Sequence, residues 1–156
     1  MNGDMENVVE SGRRKPGDHV GPLVFLDTNV IVDYLRGEPA VLQLFSAEAD
    51  GRARFAVNPI VLQELLLAAD ASAPGFEGIR EHLRVLPVDL AKAEALLTRI
   101  RDVRNRVAHS NDFLILSSAD ECDFLVTRDQ LLKNLVTTEK PQVVTPEELV
   151  TRLRAA

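Results

Sequence analysis

With 156 residues, 46% of them hydrophobic and 27% charged, the chain has the size and composition of one soluble globular domain with a sizeable core. No apolar stretch approaches the roughly 20 residues needed to span a bilayer, and the opening "MNGDMENVVESGRRKPGDHVGP" lacks the apolar centre of a signal peptide, so a cytoplasmic protein is expected. The net charge of −6 argues against a duplex-DNA binder with one broad basic face, and the single cysteine, Cys122, excludes intramolecular disulfides and Cys-based zinc sites.

Residues 1–21 are polar and aperiodic, which predicts a mobile extension ahead of a domain at 22–156. "LVFL" (23–26) is a continuous apolar run, the pattern of a buried parallel strand. "VIVDYLRG" reads as a helix ending near Gly37, and "AVLQLFSAEADG" as a second, closed by Gly51. A strand is predicted at "ARFAV" (53–57), then a helix in "NPIVLQELLLAA", where Asn58 is a good N-cap and Pro59 suits the first helical position. A helical segment around 76–83 leads to a short strand in "RVLPV", and 89–104 reads as a helix. "NDFLILSSADEC" (111–122) is a further helix, "DFLVT" (123–127) a strand and "QVV" (142–144) the last strand. The final "TPEELVTRL" carries a capping box, with Thr145 as N-cap, Pro146 first in the helix and Glu148 three residues after the cap. Strands alternating with helices predict an α/β three-layer sandwich with a mainly parallel central sheet flanked by helices.

Four carboxylates occupy informative places. Ligands of open parallel sheets bind outside the carboxyl ends of the strands. Asp27 follows the first strand directly and Asp129 lies two residues after "DFLVT", so both fall along one sheet edge. Asp27 can cap the following helix or hold a metal ion; by itself it does not choose. Glu64 shares its helical stripe with Ile60, Leu67 and Ala68, which predicts partial burial, against a narrow solvated strip formed with Gln63. Asp112 opens a helix whose stripe contains Ile115, Leu116 and Ala119, and capping alone would also explain it. If the four converge, their mutual repulsion raises their pKa values unless a hard cation joins them. Mg²⁺ takes one or two carboxylates directly and keeps several waters, an arrangement suited to phosphodiester hydrolysis.

"FLDTNVIVDYL", "NPIVLQELL" and "NDFLILSSADECDFLVTRDQLL" together resemble the PIN domain, the nuclease fold found in VapC-like toxins of toxin–antitoxin pairs and in RNA-processing enzymes. The resemblance covers roughly residues 22–150. It implies a Mg²⁺- or Mn²⁺-dependent ribonuclease with Asp27, Glu64, Asp112 and Asp129 as catalytic and metal-holding residues, supported by Thr28, Asn29 and Thr127. It also implies a homodimer and a small antitoxin partner. Where many toxins have an Asp-Phe pair beyond the fourth acidic position, this chain has "DQLLKNL".

Arg101, Arg104, Arg106 and Arg128 are candidate RNA-backbone contacts; for the first three a solvated helix end is an equal alternative, because they do not share one stripe. His109 reads as an ordinary surface residue, and His19, His82 and His109 lack metal-ligand spacing. Asp120, Glu121 and Asp123 form a second acidic group, read as a solvated loop. Seven aromatic residues are too few for recognition by base stacking. Two further readings compete with a toxin: a non-catalytic PIN-fold RNA- or protein-binding module, and an RNA-processing nuclease without an antitoxin. A phospho-acceptor with Asp27 as nucleophile would favour a carboxylate two residues on, where this chain has Asn29.

Overall fold

The computed structural model describes residues 21–68, 76–99 and 110–155. Five strands, β1 (Leu23–Leu26), β2 (Arg54–Val57), β3 (Leu83–Val85), β4 (Phe124–Val126) and β5 (Gln142–Val144), form one sheet in the order β3-β2-β1-β4-β5. Every neighbouring pair is parallel. The sheet is thus wholly parallel, which explains why β1 and β4 read as unbroken apolar runs and β2 is apolar after Arg54: Val24, Phe25, Leu26, Ala56, Val57, Leu125 and Val126 are all fully buried. The residue-by-residue register places Phe25 beside Ala56 on one side and Leu125 on the other.

Eight helices among the described residues flank the sheet: α1 (Thr28–Leu35), α2 (Pro39–Ala49), α3 (Pro59–Ala68), α4 (Phe76–Arg80), α5 (Leu90–Leu97), α6 (Ser110–Ala119), α7 (Gln130–Leu135) and α8 (Pro146–Ala155). α1 packs against α2 and α3, α2 against α8, and α6 against α3 and α5. Phe45 of α2 stacks on Tyr34 of α1 at 4.0 Å between ring centroids and meets Phe55 of β2 edge-on at 4.7 Å.

Local signals set the helix boundaries. The Asn58 side chain accepts from the amides of Ile60 and Val61, both at 3.1 Å. The expected capping box closes in both directions: Glu148 N–H donates to Thr145 Oγ1 at 3.2 Å and Thr145 N–H to Glu148 Oε2 at 3.4 Å. Gly37 and Gly51 follow α1 and α2 with φ of 79° and 74°, the left-handed backbone that stops a helix. The helix expected around 76–83 is shorter, ending at Arg80, and Leu83 already belongs to β3. β3 stops at Val85, before Pro87, which has no N–H to give a ladder. Of the segment expected as helix at 89–104, α5 covers Leu90–Leu97, and 100–104 lies outside the described residues, as does the extension at 1–20.

The chain runs from β1 outward through β2 to β3, then returns to the other side of β1 for β4 and β5. The direction of winding therefore reverses between β1 and β4, the kind of switch point beside which ligands of open parallel sheets bind.

Candidate active site

Asp27 leaves β1 at this switch point. Its own N–H still belongs to the sheet, donating to Val126 O at 3.1 Å, while its Oδ1 accepts from Thr28 N–H at 2.8 Å as the N-cap of α1. Its other oxygen, Oδ2, accepts from the Thr127 hydroxyl at 2.7 Å, just past β4. The residue is only 6% exposed. Burial pushes its carboxyl up to about 6, against the bonds from Thr127 and Thr28 that hold it down, and the charges of Glu64 and Asp112 push it further up. Cap and candidate site residue are thus one and the same.

Other predicted residues are linked to it through hydrogen bonds. Thr28 Oγ1 donates to Glu64 Oε2 at 3.0 Å, tying α1 to α3. Thr127 Oγ1 accepts from the Asp129 N–H at 3.0 Å, and Asp129 Oδ1 in turn accepts from Leu131 N–H at 2.9 Å as the N-cap of α7. A continuous line of hydrogen bonds therefore runs Glu64–Thr28–Asp27–Thr127–Asp129. Asp112, half-buried in the first turn of α6, acts on Asp27 through space. Asn29 has its Oδ1 buried without a hydrogen-bond partner among the described residues.

Glu64 is half-buried as expected, but for a different reason. The supposed apolar stripe is wrong: Leu67 is 82% exposed and Ala68 is exposed, whereas α3 buries Val61 and Leu65. The Thr28 hydroxyl, not an apolar surround, accounts for its placement.

Asn58 contributes more than a helix cap. Fully buried, it donates from Nδ2 to Leu114 O at 2.9 Å and to Ser118 Oγ at 3.1 Å, and Ser118 donates to Pro87 O at 2.7 Å. It thereby fastens the start of α3, which carries Glu64, to α6, which carries Asp112. The sequence showed the cap but not the two donors, whose partners lie some 60 residues away.

Of the candidate RNA contacts, Arg101, Arg104 and Arg106 lie outside the described residues, with His19 and His109. Arg128 is held by two carboxylates: Nε donates to Asp33 Oδ2 at 2.9 Å, and Nη1 and Nη2 donate to Glu147 at 3.1 and 2.8 Å. Those bonds raise the guanidinium pKa above its ordinary value and hold Glu147 below the usual carboxylate range. The second acidic group is engaged elsewhere, Asp120 with Lys92 at 2.9 Å and Asp123 with the Leu23 N–H at 2.9 Å. His82 pairs with Glu48 at 3.1 Å. Cys122 is fully buried, and burial pushes its thiol up to about 12, which keeps it inert.

Among the described residues, no group of three or more His, Cys, Asp or Glu side chains stands close enough together to hold a metal ion as placed. What the switch point does offer is hard carboxylate oxygen, the donor type preferred by Mg²⁺ and Mn²⁺. Its central carboxylate is raised chiefly by burial and further by two like charges, a repulsion that a cation would relieve. In kind, the donors fit such an ion. They act on one another without already forming a closed ligand shell.

Comparison with known proteins shows the family. A family model, the PIN domain, matches residues 24–136, and the chain belongs to that family, whose members are generally nucleases that use divalent metal ions. The fold is similar to a chain in the crystal structure of VapBC2 from Rickettsia felis bound to a promoter DNA fragment, with a TM-score of 0.53, 20% identity, and coverage of 79% of this chain and 98% of that one. It is also similar to a chain in the structure of FitAB bound to the IR36 DNA fragment, with a TM-score of 0.50, 21% identity, and coverage of 80% and 95%. At those identities the likeness is one of fold. No curated protein matched the sequence. Among the described residues, no helix is long and apolar enough to cross a membrane.

Proposed function

We propose that the chain is a Mg²⁺- or Mn²⁺-dependent endoribonuclease, the toxin of a toxin–antitoxin pair, acting as a homodimer and restrained by a small antitoxin. The observation that carries the chemistry is Asp27: a buried carboxylate at the switch point, raised to about 6, with Glu64 and Asp112 as the charges acting on it. Membership of the PIN family supports nuclease chemistry, and the toxin–antitoxin assemblies that share the fold support the antitoxin partner.

In this reading Asp27, Glu64, Asp112 and Asp129 hold the cation, Asp27 directly and Glu64 through water. When bound, such a cation lowers the pKa of a coordinated water and stabilises charge developing on the phosphate. The protein's own part is orientation. The Thr127 hydroxyl fixes one oxygen of Asp27 and the Thr28 amide the other, while the Thr28 hydroxyl fixes Glu64. Asp129 is held by the hydrogen bond from its N–H to the Thr127 hydroxyl and by capping α7.

Purified protein incubated with structured RNA and with DNA, in Mg²⁺, Mn²⁺ or EDTA, tests the reading beside Asp27→Asn. Metal-dependent RNA cleavage lost in the variant is the expected result. Equal cleavage by both proteins would overturn it, and RNA binding without cleavage in either metal would identify a binding module. Co-purification with the product of a small adjacent reading frame, and loss of cleavage on its addition, tests the antitoxin.

A further inference from the structure

Arg128 lies between two residues of the site, Thr127 and Asp129, yet its side chain turns away from the carboxylates there. It reaches Asp33 on α1 and Glu147 in the first turn of α8 with three hydrogen bonds of 2.8–3.1 Å. The pair with Glu147 uses the parallel two-bond geometry that only a planar guanidinium forms. Two carboxylates against one guanidinium leave the trio net negative, a poor surface for phosphate.

Asp33 stands six residues beyond Asp27 on the same helix, about 9 Å along its axis at 1.5 Å per residue. α1 is therefore tied to the turn after β4 twice, by Asp27–Thr127 and by Asp33–Arg128. Two ties at different heights fix the angle between helix and turn as well as their separation. Glu147 adds a third anchor from α8. We infer that Arg128 is a positioning residue: its ion pairs with Asp33 and Glu147 orient the Thr127–Asp129 turn so that the Thr127 hydroxyl meets both Asp27 and the Asp129 amide, and it is not a contact for the RNA backbone. The kinetic consequence rests on the nuclease reading; the structural one does not.

The two roles predict opposite signs. Arg128→Lys, Arg128→Gln and the double variant Asp33→Asn/Glu147→Gln would be compared with wild type by steady-state cleavage, by RNA affinity in EDTA across a salt series, and by hydrogen exchange of the Asp129 amide. As a positioning residue, Arg128→Lys and Arg128→Gln both lower kcat about tenfold, as loss of a supporting contact does. KM and RNA affinity in EDTA stay within about twofold. The double variant lowers kcat likewise, although Arg128 itself is intact, and all three speed exchange at Asp129, whose bond to Thr127 is no longer held.

As a phosphate contact, Arg128→Gln would weaken RNA binding and flatten its salt dependence, Arg128→Lys would largely preserve it, and freeing the guanidinium in the double variant would tighten it. That pattern overturns the inference, as does unchanged Asp129 exchange in all three variants. If wild type cleaves no RNA while Asp129 exchange responds as expected, the nuclease reading fails and the positioning role stands.

Discussion

β1 and β4 lie side by side in the sheet, and an aspartate marks each end of the pair. At the amino end Asp123, just before β4, accepts from the Leu23 N–H at 2.9 Å. At the carboxyl end Asp27, just after β1, accepts from the Thr127 hydroxyl at 2.7 Å. Both bonds join residues 100 apart in sequence, and both tie the same two strands. The similarity ends there. The Asp123 side chain is 48% exposed, faces Lys140 at 3.8 Å and is solvated. Asp27 is buried, pushed up to about 6 and within reach of two further carboxylates. Residue type and strand contact are matched; desolvation and like-charge neighbours perturb one carboxylate and leave the other solvated.

The largest effect separates the two aspartates directly. Asp27→Asn is expected to lower RNA cleavage by about 10²–10³-fold, the scale for removing a group that stabilises developing charge, while Asp123→Asn leaves it unchanged. Comparable losses at both positions would erase the distinction.

The second effect is on stability against pH. Asp27 has a folded pKa of about 6 against an ordinary 3.8, so the folded protein binds the proton more tightly than the unfolded chain. Its contribution is neutral below pH 4, turns unfavourable as pH rises to 6, and stays unfavourable above, by about 3 kcal/mol at most. Denaturation midpoints of wild type should therefore fall between pH 4 and pH 6, and this fall should be largely absent in Asp27→Asn. Added Mg²⁺ or Mn²⁺ should raise the wild-type Tm above pH 6 and leave the variant unmoved. A parallel pH response in wild type and variant would show that Asp27 is not the perturbed group.

Thr127→Val comes next. It removes a bond that lowers the pKa of Asp27, so the pH window of destabilisation should move upward and cleavage should fall about 10–100-fold. The smallest effect belongs to the solvated end: Asp123→Asn keeps an acceptor for Leu23 and loses only an exposed ion pair, so urea unfolding should change by less than about 0.5 kcal/mol.

Legibility in the sequence followed the range of the interactions. The cap at Asn58 and Pro59 and the box at Thr145 and Glu148 are written within four residues, and both appear where expected. The buried strands were legible because a parallel sheet with two covered faces leaves no polar alternation. Of the four acidic positions, Asp27 and Asp129 could be placed on one edge from strand order alone. The exposure of Leu67 could not be read, since α3 is apolar nearly all round and only its neighbours decide which face is covered. The role of Arg128 was equally hidden, because Asp33 and Glu147 lie 95 and 19 residues from it and no periodicity links them.

The bond between Asp27 and Thr127 also orders events in time. During synthesis Asp27 is present a hundred residues before the hydroxyl that orients it, and β1 waits as long for β4 as a neighbour. Contacts of such sequence separation form late. A nascent chain still lacking β4 therefore has Asp27 but neither the strand beside β1 nor the hydroxyl that orients its carboxylate.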